Sequence, residues 1–311
     1  MRILITGSSG QIGTNTGIAL VERGDTVVGL DNRPNTWTDR FPTTVVDLSE
    51  ATPGELPVEG RFDATLHLAA HAKVYELVEN PVRAMENFRM CFNVLEYCRR
   101  ADTPILFGSS REVYGDIHRH ITEESEADFV VAESPYSASK IAGEAYIYSY
   151  AECYGLPCLV YRFSNVYGRY DCDLDRLERV IPLFIDRIAR EQAITVFGRE
   201  KVLDFTYVDD CVSGIIRGID ALVAGKVRRE TINLAYGQGS TLQDLVNIIA
   251  LAVRKKPRVT YQPARAGEVT RYVADLTKAR QQLGYQPQTP LTAGIPLSIE
   301  WQQSIGALKL D

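Results

Sequence analysis

The chain has no C-x-x-C pair, no excess of positive charge, no apolar run of membrane-spanning length and no internal repeat. Each absence removes a class. The cysteines at 91, 98, 153, 158, 172 and 211 lie in apolar or helical settings without metal-ligand spacing. A structural zinc site and a disulfide framework are therefore not expected. Cys91 and Cys98 fall on one helix face and read as core packing. Lys+Arg number 34 against 40 Asp+Glu, a formal net charge of −6. That balance argues against general nucleic-acid affinity, which comes largely from cations neutralising phosphates. It leaves room for a local basic pocket. Met1-Arg2-Ile3-Leu4-Ile5 begins a strand at once, with no space for a signal peptide, and no segment reaches bilayer thickness. A cytoplasmic protein with neither a membrane nor a nucleic-acid partner is expected.

What remains is ordinary in bulk and informative in order. At 311 residues, 45% hydrophobic and 24% charged, the chain can bury a sizeable core in one large domain or two modest ones. RILIT (2–6), TVVGLD (26–31), TTVVD (43–47), ATLHLAA (64–70), PILFGSS (104–110) and LPCLVYRFSN (156–165) read as short, nearly continuous apolar strands. Helical patterns at 12–23, 81–100 and 137–154 fall between most of them. Strands without polar alternation are covered on both faces, as in a parallel sheet closed by helical crossovers. The fold class expected is α/β, a doubly wound parallel sheet with a smaller α+β lobe. Later elements are a helix at 178–191, strands at 193–198, from 204, at 231–235 and at 258–263, and helices to 222 and over 241–254. The organisation predicted is 1–166 plus 204–236 as a cofactor domain, with the second segment returning to the main sheet. Residues 167–203 plus 237–311 form the smaller lobe.

TGSSGQIG (6–13) follows the first strand and opens a helix. Glycines at 7, 10 and 13 allow a tight turn whose N–H groups approach a pyrophosphate at the positive helix end. The spacing is G-x-x-G-x-x-G rather than G-x-G-x-x-G, and a lone glycine pattern is weak. Asp31, ending the second strand, strengthens it. A carboxylate there accepts from ribose hydroxyls and repels a 2′-phosphate, favouring NAD over NADP. Arg33 points the other way, because an arginine there can hold that phosphate. Asp47 and Leu48 end the third strand where an adenine edge would lie. HLAA (67–70) places small residues beside the cofactor, with His67 read as a packed strand residue.

Two polar groups follow. PILF opens into GSSREVYG (108–115), where hydroxyls, a cation, a carboxylate and a phenol crowd together. SPYSASK (134–140) sets Tyr136 one helical turn before Lys140, so both side chains can face one ligand. A nearby ammonium stabilises phenolate, which predicts a tyrosine below its usual ~10 and usable as a base.

The glycine turn, Asp31, HLAA, SSREVYG, YSASK and RFSNVYG, in this order, resemble the extended short-chain dehydrogenase/reductase family, in its nucleotide-sugar branch. LDN (30–32) and DFTYVDD (204–210) are similar to the UDP-glucose and UDP-glucuronate 4-epimerases in particular. The resemblance implies a tightly held NAD, a UDP-sugar substrate and a homodimer built on the helices at 81–100 and 137–154. It implies Tyr136 as base, Lys140 as its electrostatic partner and nicotinamide-ribose ligand, and Ser110 as the bridge between sugar hydroxyl and base. The cofactor contacts it implies are Gly7, Gly10, Gln11, Ile12 and Gly13 in the turn and Asp31 and Asn32 after the second strand. Asp47, Leu48, Leu68, Ala69, Ala70 and Asn87 complete them, with Tyr136 and Lys140. No metal is implied. For the substrate it points to Asn165 at a phosphate, Arg265 on the diphosphate, and Arg179, Val180 and Phe197 around the nucleotide base. Leu203 departs from the pattern, standing where the family has an arginine; Lys201 and Arg199 are the candidates to replace it.

Arg111 and Glu112 bear on the outcome. An epimerase turns the 4-keto sugar and returns its hydrogen to the other face. Dehydratases of the family carry an Asp-Glu pair after the hydroxyl residue, and decarboxylases a Ser-Glu pair. Arg111 in the acid's place weakens the dehydratase reading, while Glu112 stays where those enzymes keep theirs. Glu112 is either neutralised by a neighbouring arginine or catalytic. Arg111 either meets a sugar carboxylate in bidentate fashion or points to solvent. The expectation is an NAD-dependent 4-epimerase of a UDP-hexose or UDP-hexuronic acid. Its alternatives are a dehydratase or decarboxylase using Glu112, and a non-enzymatic binding protein retaining the fold.

Overall fold

The computed structural model describes residues 1–115, 132–174, 179–265 and 267–310. The first half alternates strand and helix: β1 (Arg2–Thr6), α1 (Gln11–Arg23), β2 (Thr26–Asp31), β3 (Thr43–Val45) and β4 (Ala64–His67). Then come α2 (Val74–Glu79), α3 (Val82–Ala101), β5 (Ile105–Ser110), a 3₁₀ turn (Arg111–Tyr114), α4 (Pro135–Tyr154) and β6 (Cys158–Phe163). The second half holds β7 (Asn165–Tyr167), α5 (Val180–Ala189), β8 (Ala193–Phe197), β9 (Val202–Tyr207), α6 (Val208–Val223) and β10 (Arg229–Leu234). The chain closes with β11 (Gly239–Thr241), α7 (Leu242–Val253), β12 (Arg258–Gln262), α8 (Thr277–Leu283) and α9 (Leu291–Ser304).

Seven strands form one sheet in the order β10-β6-β5-β4-β1-β2-β3, and every neighbouring pair is parallel. Strand side chains alternate faces, and the core divides accordingly. Ile3 and Ile5 of β1 pack in one cluster with Leu20 of α1 and Ile215 and Ile219 of α6. Leu4, between them, packs in another with Val94 and Leu95 of α3 and Ile147 of α4. With helices on both faces, an unbroken apolar strand is what burial demands. Cys91 and Cys98 are buried in the second of these clusters, as their spacing predicts. No helix among the described residues is long and apolar enough to cross a membrane.

Segment 204–235 returns to the main sheet only in part. β9 joins a three-stranded sheet with β7 and β11, and only β10 completes the seven. The difference has a buried carboxylate at its centre. Asp204 of β9 accepts from the N–H groups of Tyr236 (3.0 Å), Gly237 (2.9 Å) and Ala274 (3.2 Å), binding β9 to the turn after β10 and to the late chain. Asp210 of α6 likewise takes the N–H groups of Gln288 and Thr289, both at 2.8 Å, fastening the tail. β8 pairs with β12 in a separate ribbon. The apolar stripe of α5 packs with α7 and α9 into a further core that includes Ile185, Ile249 and Ile295. The helix expected at 178–191 spans Val180–Ala189, and Glu178 lies outside the described residues.

α6 lies so close to β6 that Tyr161 donates its hydroxyl to the Gly214 carbonyl at 2.8 Å. A Cβ on Gly218 would stand 1.9 Å from that hydroxyl oxygen. Gly218→Ala should therefore destabilise the fold, since overpacking costs about 1–3 kcal/mol against a helix-propensity gain of at most ~1 kcal/mol. The check is the urea midpoint; a value at or above wild type would mean that Tyr161 swings clear.

Candidate active site

The strand order reverses between β1 and β4, and ligands of such sheets bind at the carboxyl ends beside that point. Here a cleft of about 710 Å³ opens over the ends of the central strands. Its floor is the turn from β1 to α1. Gly7 has φ +73°, and a Cβ on Gly13 would stand 2.2 Å from the Gly7 carbonyl oxygen, so the turn closes only with glycine there. Gly10 caps α1 without any side-chain hydrogen bond, leaving the first-turn N–H groups open at the positive end of the helix. Gln11, Ile12 and Gly13 line the cleft beside them. The Gln11 Nε2 is buried without a partner.

Asp31 locks the neighbouring loop to this turn. One carboxylate oxygen accepts from Ser9 N at 2.9 Å and the other from Arg33 N at 3.2 Å. The Arg33 guanidinium donates to the Ser9 carbonyl and so lies on the glycine turn. Asp31, Asn32, Asp47 and Leu48 line the same end of the cleft, and Leu68, Ala69 and Ala70 continue it. Asp47 accepts from Ser49 N and Oγ at 2.9 and 2.7 Å, which holds its carboxyl below the usual range. His67 is a core residue, bonded to Thr6 Oγ1 at 2.6 Å, and burial draws its imidazole down to about 3. Asn87 stands behind the wall. It exchanges hydrogen bonds with His71 N (2.7 Å) and His71 O (3.0 Å), holding the loop that the cleft uses.

Tyr136, Lys140 and Ser110 all line the cleft. The start of α4 is set by a reciprocal cap: Ser134 Oγ accepts from Ser137 N at 3.1 Å, and Ser137 Oγ from Ser134 N at 3.0 Å. With Pro135 in the first turn, this brings the helix start forward to include Tyr136. Ser110 caps the 3₁₀ turn, accepting from Glu112 N at 3.2 Å, and its side chain acts on the Tyr136 phenol in favour of the ionised form. Lys140 donates to the Gly108 carbonyl at 2.7 Å.

The tyrosine does not titrate as the sequence predicts. Burial pushes its phenol up to about 12, with Ser110 pulling the other way. Burial also draws the Lys140 ammonium down to about 8. The lysine lies 5.8 Å from the phenol ring centroid and spends a hydrogen bond on a carbonyl, so desolvation outweighs the expected charge effect.

Arg111 does not point to solvent, and only one of its terminal nitrogens is engaged. Its Nη2 meets Glu112 Oε1 at 3.0 Å and donates to Asn165 Oδ1 at 3.3 Å. Nη1 of Arg111 and Oε2 of Glu112 are buried without partners. Burial raises the Glu112 carboxyl and the Arg111 charge opposes the shift. Asn165 lines the cleft and donates to the Asp204 carbonyl at 3.1 Å. Arg179 and Val180 line it too, but Arg179 is tied to Gln11 Oε1 at 2.6 Å and Asp171 at 3.0 Å, by the glycine turn. Phe197 is not with them. It lies 4.0 Å beneath the Arg265 guanidinium, which also faces Tyr75 at 5.0 Å, at the margin of the cleft. Lys201 is buried against Glu268, Arg199 lies over Tyr261 with its side chain exposed, and Leu203 belongs to the core of α5 and α7.

Several lining groups carry no mark in the sequence, among them Lys73, Tyr75 and Glu76 at α2, and Glu268. The six residues of α2 are too short for a periodic signal, and Glu268 arrives from the far end of the chain. Only its closeness to Arg265 hints at a role.

The family model described as the NAD dependent epimerase/dehydratase family matches residues 3–235. The chain is 31% identical to UDP-glucuronate 4-epimerase 1 of Arabidopsis thaliana, an alignment covering 97% of this chain and 76% of that one. It is 30% identical to UDP-glucose 4-epimerase of Mycolicibacterium smegmatis, with 97% and 98% covered. The crystal structure of UDP-glucose 4-epimerase with UDP-glucose from Thermotoga maritima aligns at TM-score 0.88 and 28% identity, covering 98% of this chain and 99% of that one. Matched from β1 to the end of β10, with the glycine turn and the Tyr136–Lys140–Ser110 group in one cleft, the chain belongs to the NAD-dependent epimerase/dehydratase family.

Proposed function

We propose that the protein is an NAD-dependent 4-epimerase of a UDP-sugar, either a UDP-hexose or a UDP-hexuronic acid. The observation that carries this is the meeting of Tyr136, Ser110 and Lys140 in the cleft that also holds the glycine turn and Asp31. The donor set fits a dinucleotide. Open N–H groups at the start of α1 and the unpartnered Gln11 Nε2 suit a pyrophosphate, and Asp31 suits ribose hydroxyls. Arg33, turned onto Ser9, favours NAD over NADP.

NAD would supply a two-electron acceptor whose nicotinamide ring carries a positive charge. The remaining work belongs to the chain. Tyr136 takes the proton of the sugar's 4-hydroxyl, and Ser110, which donates and accepts on one atom, orients that transfer. Lys140 supplies positive charge and a ribose contact. The 4-keto sugar then presents its other face before its hydrogen returns. Arg111 stands where a dehydratase would need an acid and pairs with Glu112 at 3.0 Å, which favours epimerisation over water loss. Asn165 is assigned to the substrate phosphate and Arg265 to the diphosphate.

Residues 1–166 with 204–236 would hold the cofactor and 167–203 with 237–311 the nucleotide sugar; the two parts share their cores, Val208 and Val212 packing with Ile185 and Leu245, and Tyr272 and Tyr285 packing with Ile3 and Ile5. A homodimer through α3 and α4 has support in their mutual packing and in the exposed Met85, Tyr146 and Tyr154. Free cysteines suit a reducing compartment, hence the cytoplasm.

The direct test is incubation of the purified protein with UDP-glucose, UDP-galactose and UDP-glucuronate, with products read by NMR. A 4-epimer is expected; a dehydrated or decarboxylated product without it would transfer the protein to the other branch. Tyr136→Phe should lower kcat by roughly 10²–10⁴-fold with little change in Tm, and unchanged turnover would remove Tyr136 as the base. Because Lys140 is drawn down to about 8, its charge is present below that pH and lost above it. kcat/KM should therefore decline as pH rises through that region, and a flat profile there would deny the lysine its electrostatic part.

A further inference from the structure

Beneath the proposed base, α4 carries a third buried residue on the same stripe. Tyr136, Lys140 and Glu144 are spaced one turn apart and are 7%, 5% and 2% exposed. Each engages one of three consecutive residues at the end of β5. Tyr136 lines the cleft with Ser110, which acts on its phenol, Lys140 donates to the Gly108 carbonyl at 2.7 Å, and Glu144 Oε1 accepts from Ser109 Oγ at 2.5 Å. Arg162 of β6, directly opposite Ser109 in the sheet register, completes the arrangement. Its Nε reaches Glu144 Oε1 at 3.1 Å and its Nη2 reaches Oε2 at 2.7 Å. The Arg162 guanidinium also lies 4.6 Å from the Tyr114 ring centroid, and Tyr114 donates to Asn233 of β10 at 2.9 Å.

We infer that Glu144, held by Arg162, is a positioning residue: it sets the register of α4 against β5 that keeps Tyr136 on Ser110, and it sustains the charge of Lys140. The inference rests on the epimerase reading above. Burying a carboxylate and a guanidinium together is a poor route to net stability, because desolvation offsets much of their attraction. What such a pair does well is select one alignment. Here a single carboxylate joins α4, β5 and β6 at the level of the proposed catalytic group.

The electrostatic half follows from what surrounds Lys140. The titratable or charged groups facing it among the described residues are His67 of β4, Cys91 of α3, and Tyr136 and Glu144 of its own helix. Burial keeps His67 uncharged and pushes the Cys91 thiol up to about 12, so neither carries charge near neutrality. Cys91 and then Glu144 oppose the desolvation that draws Lys140 down; with the thiol protonated, the opposing carboxylate is that of Glu144, bound by Arg162. Without that carboxylate, the ammonium should lose its proton at lower pH.

Three variants and two readouts decide. In Glu144→Gln, kcat should fall on the order of 10- to 100-fold, the range expected for small misplacement of reacting groups, with KM for the UDP-sugar little changed. The alkaline limb of its kcat profile should move to lower pH. The second readout needs no turnover: pH-dependent acylation of Lys140 in NAD-free protein, followed by mass spectrometry, should show a lower midpoint than wild type. Glu144→Asp should restore part of both. Ser109→Ala cuts only the link to β5 and should lower kcat while leaving the alkaline limb in place. A Glu144→Gln protein that is folded, active and unshifted in Lys140 acylation would overturn the inference. If that variant does not fold, Ser109→Ala decides instead: unchanged kcat overturns the positioning role and a fall supports it. Should wild type turn over no UDP-sugar, the epimerase reading fails alone, and the acylation midpoints still decide whether Glu144 sustains the charge of Lys140.

Discussion

The close seating of α4 on β5 is the constraint on which the site depends. Gly143 permits it, since a Cβ there would stand 2.7 Å from the Phe107 ring. At that separation Lys140 reaches a backbone carbonyl and loses its water, and Tyr136 loses water with it. Both groups are driven toward their neutral forms, the phenol upward and the ammonium downward. In the free cleft the phenol therefore keeps its proton at neutral pH.

The same economy of position governs the cofactor end. The turn after β1 stands where the strand order reverses, and its carbonyls and glycines leave no room for side chains. Asp31 belongs to that turn as much as to any ligand, because it accepts from Ser9 N and Arg33 N. Arg33 is thereby drawn onto the turn. One nitrogen of its guanidinium is thus taken up by the Ser9 carbonyl, although Arg33 still lines the cleft beside Asp31.

Over the opposite end, charges cancel in pairs. Arg111 meets Glu112, and Lys201 meets Glu268. Arg111 also braces Asn165, which Asp204 supports through its carbonyl, and Asp204 in turn collects three N–H groups from distant turns. The sugar end is therefore built on buried polar links between segments far apart in the chain. Such links are exacting, because a half-satisfied buried network is costlier than an apolar one.

Much of this is legible in the chain itself. The apolar strands, the helices between most of them, the glycine turn, Asp31, Tyr136, Lys140 and Ser110 can all be read in order, because burial on both faces and one-turn helix spacing leave local marks. Less local matters are not. β9 reads as a strand of the main sheet, yet pairs with β7 and β11. Phe197 reads as a pocket wall, yet lies beneath Arg265. The acidity of Tyr136 is misjudged because neighbour spacing reveals charge but not solvent access. By itself, the sequence determined the fold class and marked the glycine turn, Asp31 and the Tyr136–Lys140 pair, since these rest on periodicity or on neighbours along the chain, while the roles proposed for them come from the family resemblance. Only the tertiary structure decided which charges are neutralised, which groups lose water and which distant segments close the cleft. Desolvation and ion pairing depend on what packs alongside, and that is set by contacts between residues the chain keeps far apart.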